Sequence, residues 1–369
     1  MKNVNPLFGI LPSALSVLKR RVYCKFERRN LMKFFITSKD IGIDLGTSNT
    51  LLYVKGKGIS LMEPSVVAIK VSDRKVLAVG SEAKKMIGRT PEDIITIRPI
   101  KDGVIANFDM TQQMLKKFIE RVTGKASFAS SRVVICHPSG ITEVEKRAIH
   151  EAIRETGVRK IMLIEEPVAA AIGAGLPVNE PIGSMIIDIG GGTTEIAVIS
   201  LGGVVTSKTL RVAGDELDEA IINYIKKEFN LMIGERTAEN IKIEIGSAYK
   251  DEDYEENSIE IKGRDLMTGL PRVITITDSE IRDALKESVA LVIEAIRTTL
   301  EKTDPELAAD IMDKGITLSG GGALLKGLDK LIFSEMHIPV YIAESPLECV
   351  ALGAGKCLDM IDKLEDIKA

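Results

Sequence analysis

Two short stretches decide the fold: Asp44-Leu-Gly-Thr-Ser-Asn-Thr50 and Asp188-Ile-Gly-Gly-Gly-Thr-Thr194. Each is entered from a short apolar run and followed by another, a pattern that predicts strand, tight turn, strand. In both, an Asp closes the incoming strand and a glycine stands two residues on; the two copies lie 144 residues apart. A duplicated α/β half with one such turn in each predicts two lobes facing a shared cleft. Backbone N–H groups in a glycine turn make a concave anion site, because the chain can approach closely and expose its donors. Thr47, Ser48 and Asn49 would grip one side of a phosphate chain, and Gly190, Gly191, Gly192 and Thr193 the other. Asp44 and Asp188 cannot touch phosphate. They read as holders of a Mg²⁺ through its own waters, several of which that ion keeps. A plain hairpin explains either stretch alone; the repeated Asp-x-Gly order favours phosphate.

Outward from these turns the pattern stays α/β. Strands are predicted over 40–46, 51–54, 65–71, 75–79, 132–136 and 160–165, then over 185–188, 195–200, 204–210, 258–261, 272–277, 316–318 and 338–342. Thr142 and Glu145 are spaced as a capping box for a helix stopped by Gly157. Further helices are expected over 168–174, 216–229, 238–245 and 279–303, the last capped by Thr277 or Asp278. Ser345-Pro346-x-Glu348 is expected to open the final helix. A third cluster, Ser319-Gly-Gly-Gly-Ala-Leu324, follows a strand. The backbone of Gly320, Gly321, Gly322 and Ala323 could pass beneath an adenine or α-phosphate, and a tight turn explains it as well. Gly353 and Gly355 read as close packing of the last helix, since the string Gly353-Ala-Gly-Lys-Cys357 lacks the leading glycine and the hydroxyl of a P-loop. No dinucleotide fingerprint follows an early strand.

The 369 residues are 45% hydrophobic and 28% charged, which argues against disorder or a collagenous chain. No run of 18 apolar residues occurs, so a transmembrane helix is not expected. A net charge of −4 gives no basic footprint, and nucleic acid is not an expected partner. Cys24, Cys136, Cys349 and Cys357 form no C-x-x-C pair, and with three histidines this speaks against zinc and for a reducing, intracellular chain. The acidic run Asp251-Glu-Asp-Tyr-Glu-Glu256 lacks the glycine and spacing of a calcium loop and reads as solvated. Residues 1–31 carry seven Lys/Arg against one Glu, a balance of +6, leaving 42 basic against 52 acidic residues (−10) for the rest. The basic cluster follows the apolar residues, the reverse of a secretory signal. The segment is either a basic amphipathic membrane helix or, the reading favoured here, the product of a start upstream of Met32.

Taken in order, Asp44 to Thr50, Glu165-Glu166-Pro167, Asp188 to Thr194 and Ser319 to Leu324 resemble the actin/DnaK/sugar-kinase ATPase superfamily. Within it, the runs from Ile164 to Leu176, Ile187 to Leu201, Ile233 to Lys242 and Gly263 to Pro271 are similar to bacterial actins of the MreB type, over about 40–363. The resemblance implies an actin-like ATPase fold: two ribonuclease H-like lobes around a nucleotide cleft, each with a smaller subdomain. The expected layout is an extension at 1–31, a first lobe at 32–175, and a second at 176–345 with a small subdomain at about 211–277. A terminal helix at 346–369 would pack back on the first lobe.

It also implies roles. Glu166 corresponds to the residue that orients the attacking water, with Thr193 near the γ-phosphate. Ala238, Glu239, Asn240, Ile241 and Lys242 match the adenine and ribose side, and Gly214 and Asp215 the segment beneath the ribose. ATP and Mg²⁺ are the implied cofactors, with slow hydrolysis coupled to assembly. The implied product is an antiparallel double protofilament on the inner face of the cytoplasmic membrane, guiding wall elongation and rod shape with membrane partners such as MreC and RodZ. Membrane contact would come from Phe34 and Phe35 in Met32-Lys-Phe-Phe-Ile-Thr37 and from Phe128 in a loop before the 132 strand. A small-alcohol kinase of the same superfamily is the alternative; it would normally be longer and carry an Asp base facing its substrate. A chaperone would need a further domain after Lys363, and a cell-division actin a longer amphipathic tail. The form Glu165-Glu-Pro-Val-Ala-Ala-Ala171 is closer to the MreB branch than to its paralogues.

Overall fold

The computed structural model describes residues 39–124, 131–250 and 255–359. The first sheet grows from β1 (Ile41–Leu45), whose apolar residues are buried. It is flanked antiparallel by β2 (Asn49–Val54), itself paired antiparallel with β3 (Gly58–Pro64). On the other side β4 (Arg132–His137) and β5 (Lys160–Glu165) run parallel, giving the order β3-β2-β1-β4-β5. The second sheet repeats this with β6 (Ser184–Ile189), β7 (Thr194–Ser200), β8 (Gly203–Leu210), β9 (Ile316–Ser319) and β10 (Val340–Ile342), in the order β8-β7-β6-β9-β10. Again three strands are antiparallel and two parallel. The duplication expected from the two Asp-x-Gly turns is thus a repeat of whole sheets, and each turn joins the first two strands of its own.

Each lobe has its own core. Phe118, Ile119, Met114 and Leu115 from the helix Phe108–Thr123 fill the first against Ile41, Ile43 and Leu52. Ile221 and Ile225, Ile281 and Leu285, and Ile187 fill the second. A third cluster lies between them, where the helix Glu166–Ala174 crosses the helix Cys349–Cys357. The crossing is reciprocal. A β-carbon on Gly173 would be driven into the Cys349 carbonyl, and one on Gly353 into the Ala169 carbonyl. Only glycine lets the two backbones approach this closely, which supports the packing reading of Gly353. Small subdomains sit above: a sheet of Val67–Lys70 between Val76–Val79 and Ile94–Ile97 on the first lobe, and one of Leu231–Met232, Ser258–Asp265 and Pro271–Thr277 on the second.

Capping was legible: Thr142 with Glu145 and Thr277 with Glu280 both form complete capping boxes. Ser345 differs from expectation. It makes no side-chain cap; a 3₁₀ turn, Pro346–Glu348, intervenes and the helix begins at Cys349. The strand β3 escapes the alternation rule because it is an edge strand, half-buried on both faces and ending in Pro64. The helices Phe108–Thr123, Pro305–Lys314 and Leu328–Met336 were also missed. Among the described residues no helix is long and apolar enough to cross a membrane. Phe34, Phe35, Phe128, the extension 1–31, Cys24, the acidic residues 251–254 and the tail 360–369 lie outside the described residues.

Candidate nucleotide site

The two turns meet face to face. A β-carbon on Gly191 would strike the Ser48 hydroxyl and one on Gly192 the Thr47 hydroxyl. The run of glycines in the second turn therefore makes room for the hydroxyls of the first. Each turn is tied to its own lobe. Ser65 Oγ donates to the Gly46 carbonyl at 2.7 Å, and Gly190 N–H to the Thr193 carbonyl at 2.9 Å. Thr47 Oγ1 accepts from Gly103 N–H at 3.0 Å. Gly214 and Asp215 N–H donate to the Gly190 and Gly191 carbonyls at 3.1 and 2.7 Å, which brings the expected ribose segment against the second turn.

Beneath the turns lies a pool of carboxylates. Withdrawal from water, and after it the charge of Asp188, pushes the Asp44 carboxyl up to about 8. Asp188, 7% exposed, is pushed up to about 6 by burial, opposed by a 2.7 Å hydrogen bond from Ser319 Oγ. Glu166, at the start of its helix with Pro167 behind it, is held well above the ordinary range, first by burial and then by Asp44, Glu195 and Asp188. Glu195 pairs in register with Asp188 and is pushed up to about 7 by burial, although Thr209 Oγ1 and Ser139 N–H donate to its Oε2 at 3.0 and 3.4 Å. Its Oε1 has no protein donor. Four acids converging without a basic side chain among them suit a bound cation. Among the described residues no group of three or more His, Cys, Asp or Glu side chains is placed to hold a metal ion directly.

The helix Glu235–Ile245 corrects part of the expectation. Five consecutive residues cannot share one helical face. Ala238 and Ile241 are buried in the second core, and Asn240 is exposed. Glu239 and Lys242 turn toward the cleft instead. Lys242 Nζ donates to the Gly214 carbonyl at 2.6 Å and pairs with Asp218 at 2.8 Å, while Glu239 pairs with Lys84 of the other lobe at 2.8 Å. In the third cluster Gly321–Leu324 is a 3₁₀ turn with Ala323 buried beside β6. Sequence reasoning missed Glu195, Asp218, Lys84 and Arg98, and gave Ser319 no role. Glu195 was within reach, since it stands directly after the second turn.

A family model described as "MreB/Mbl protein" matches residues 38–366. The chain is 54% identical over 327 residues to the cell shape-determining protein Mbl of Bacillus subtilis, covering 89% of this chain and 98% of the relative. It is 55% identical over 330 residues to the cell shape-determining protein MreB of Escherichia coli, covering 88% and 94%. Identity to the two branches is thus nearly equal and does not favour either. Among solved structures, MreB5 of Spiroplasma citri bound to AMPPNP superimposes with a TM-score of 0.86 at 39% identity, covering 90% of this chain and 99% of that one. The same protein bound to ADP gives 0.85 at 40%. A MamK double helical filament gives 0.73 at 22%, a likeness of fold. With its two duplicated sheets, its paired turns and these relatives, the chain belongs to the MreB/Mbl family of bacterial actins and has the actin-like fold.

Proposed function

We propose that the protein is an ATP-binding cytoskeletal filament protein of the bacterial cell-shape machinery, whose slow hydrolysis of ATP governs assembly. The observation that carries this reading is the meeting of the two turns above a pool of acids, an arrangement with N–H and hydroxyl donors on both sides of one phosphate chain. Structures of a relative with AMPPNP and with ADP support a nucleotide there. Asp44 and Asp188 would hold Mg²⁺ through water, and the ion would supply charge neutralisation for the phosphates and the acids together. Glu166, at a strand end beside the cleft, aligns a water in line with the terminal phosphate, and Thr193 contacts that phosphate. Relief of the surrounding negative charge lets Glu166 act as a carboxylate. Glu239, Lys242, Gly214 and Asp215 flank the ribose.

Assembly follows from lobe movement: nucleotide state sets the angle between the lobes and thereby the surfaces that neighbours meet. Head-to-tail copies make an open heterologous filament, here a double protofilament. We further propose a peripheral position on the inner face of the cytoplasmic membrane, through Phe34, Phe35 and Phe128, and contact with elongation proteins of the MreC and RodZ kind. The test is co-sedimentation and negative-stain imaging of the full chain on anionic liposomes with ATP and Mg²⁺, with ADP, or with no nucleotide. Paired filaments on lipid that require ATP are expected. A monomer that turns over ATP only when a small alcohol is added would overturn the reading in favour of a kinase.

A further inference from the structure

The lobes meet at three levels: the helix crossing at the base, the two turns in the middle, and a set of ion pairs at the mouth. The last set has a single polarity. Lys84 and Arg98 on the first lobe face Glu239, Glu235 and Asp215 on the second. Lys84 Nζ lies 2.8 Å from Glu239, Arg98 Nη2 3.2 Å from Glu235 Oε2, and Arg98 Nη1 3.4 Å from Asp215 Oδ1. Both sides are anchored. Lys84 closes the helix Ser81–Lys84, whose first N–H and hydroxyl donate to Glu63 Oε2 at 2.6 and 2.7 Å, and Glu63 is fixed in turn by Arg121 at 2.8 Å. Arg98 directly follows the strand Ile94–Ile97. Glu235 and Glu239 are one turn apart on one helix, whose opposite face is locked into the core by Ala238, Ile241 and Ile245.

From this geometry we infer that Lys84 and Arg98 with Glu235, Glu239 and Asp215 form an electrostatic latch that holds the small subdomains together and sets the rate at which nucleotide leaves the cleft. The inference rests on the nucleotide reading of the cleft. A nucleotide seated between the turns is enclosed by them below and by the latch above, so its exit requires the pairs to part. Half-exposed pairs are individually weak and are screened by salt. The latch is therefore an ionic-strength-sensitive gate rather than a permanent clamp, and through Asp215, whose Oδ1 also accepts from Ser48 Oγ at 3.2 Å, it is tied to the first turn. Its strength depends on anchorage: the backbone elements that carry these residues are held by their own lobes, so pairing costs side-chain freedom alone.

The experiment is stopped-flow displacement of a fluorescent ATP analogue, with Mg²⁺, from the full chain at low and high salt. Equilibrium affinity and circular dichroism are taken on the same samples. At low salt, Lys84→Ala is expected to release the analogue about threefold faster and Arg98→Glu about tenfold faster. Release from the unaltered protein should accelerate with salt, and release from R98E should not. The reversed pair R98E/E235R should bring release back to within about threefold of the unaltered rate. Equal release rates in all variants, or no recovery in the reversed pair, would overturn the latch. If the unaltered protein binds no analogue at all, the nucleotide reading of the cleft falls and the latch with it, an outcome distinct from binding with unchanged release.

Discussion

The two lobes are near copies in topology and differ at the ends of equivalent strands. In the second lobe Asp188 is paired with Ser319 on the neighbouring parallel strand, and the serine hydroxyl donates to it. In the first, Ile43 pairs with Ile135, so the residue at the equivalent place beside Asp44 is Cys136, a buried free thiol. The thiol's own ionisation is driven far upward, first by burial and then by Asp44. Burial pushes both aspartates up, to about 6 for Asp188, where the serine hydroxyl opposes the rise, and to about 8 for Asp44, where the charge of Asp188 adds to it. The fifth strands diverge as well. In the first lobe Glu165-Glu166-Pro167 puts a buried acid at the start of the crossing helix; the second has exposed Glu344, then Ser345 and Pro346. Duplication supplied the frame, and substitution at strand ends gave one lobe the buried acid proposed to align water and gave the other an aspartate steadied by a serine hydroxyl.

The asymmetry can be broken in order of effect. Glu166→Ala is expected to slow ATP turnover by about 100-fold or more with nucleotide affinity nearly unchanged, while Glu344→Ala leaves turnover within about twofold. Single-turnover phosphate release on both variants checks this, and equal loss in the two would remove the assignment. Next is the base of the cleft, where the lobes are alike. Gly173→Val and Gly353→Val should each cost about 3 kcal/mol or more in urea unfolding, because backbone cannot yield as a side-chain tip can.

Smaller effects concern the paired aspartates. Ser319→Ala should weaken magnesium-nucleotide binding about tenfold, as a hydrogen bond to a charged acid is lost. Cys136→Ser, which offers the first lobe the donor it lacks, should move affinity the other way by a few-fold; calorimetric titration of both reads the difference. The pH dependence follows in sign. Asp188, Glu195 and Asp44, at about 6, 7 and 8, keep protons in the folded state that the unfolded chain gives up near its ordinary carboxyl range. What these three acids contribute to the stability of the nucleotide-free protein is therefore fully present below that range. It declines as pH rises toward about 8, where the folded acids ionise against one another. Melting temperatures should fall over this window, and magnesium-nucleotide should raise them more at its upper end than at its lower. The smallest effect is on the helix Glu235–Ile245: Asn240→Ala should change nucleotide affinity by less than about twofold, whereas Lys242→Ala, at a fixed pair with Asp218, should weaken it measurably.

By itself the sequence determined the duplication, the two turns and the capping box at Thr142, narrowed the cap of the long helix to Thr277 or Asp278, and named Asp44, Glu166, Asp188 and Thr193 as candidates. These are local signals, written in consecutive residues whose backbone demands do not depend on what lies across the molecule. Only the tertiary structure decided that Gly191 and Gly192 open space for Ser48 and Thr47, that Ser319 steadies Asp188 while Cys136 leaves Asp44 without a strong donor, and that Lys84 and Arg98 reach Glu239 and Glu235. Each of those facts joins residues more than 90 positions apart, through a sheet order or a helix face that no neighbour in sequence specifies. The same reason turned Ala238 and Ile241 into the core: a helix presents a residue to the cleft by its angle around the axis, and that angle was fixed by the apolar residues packed behind it.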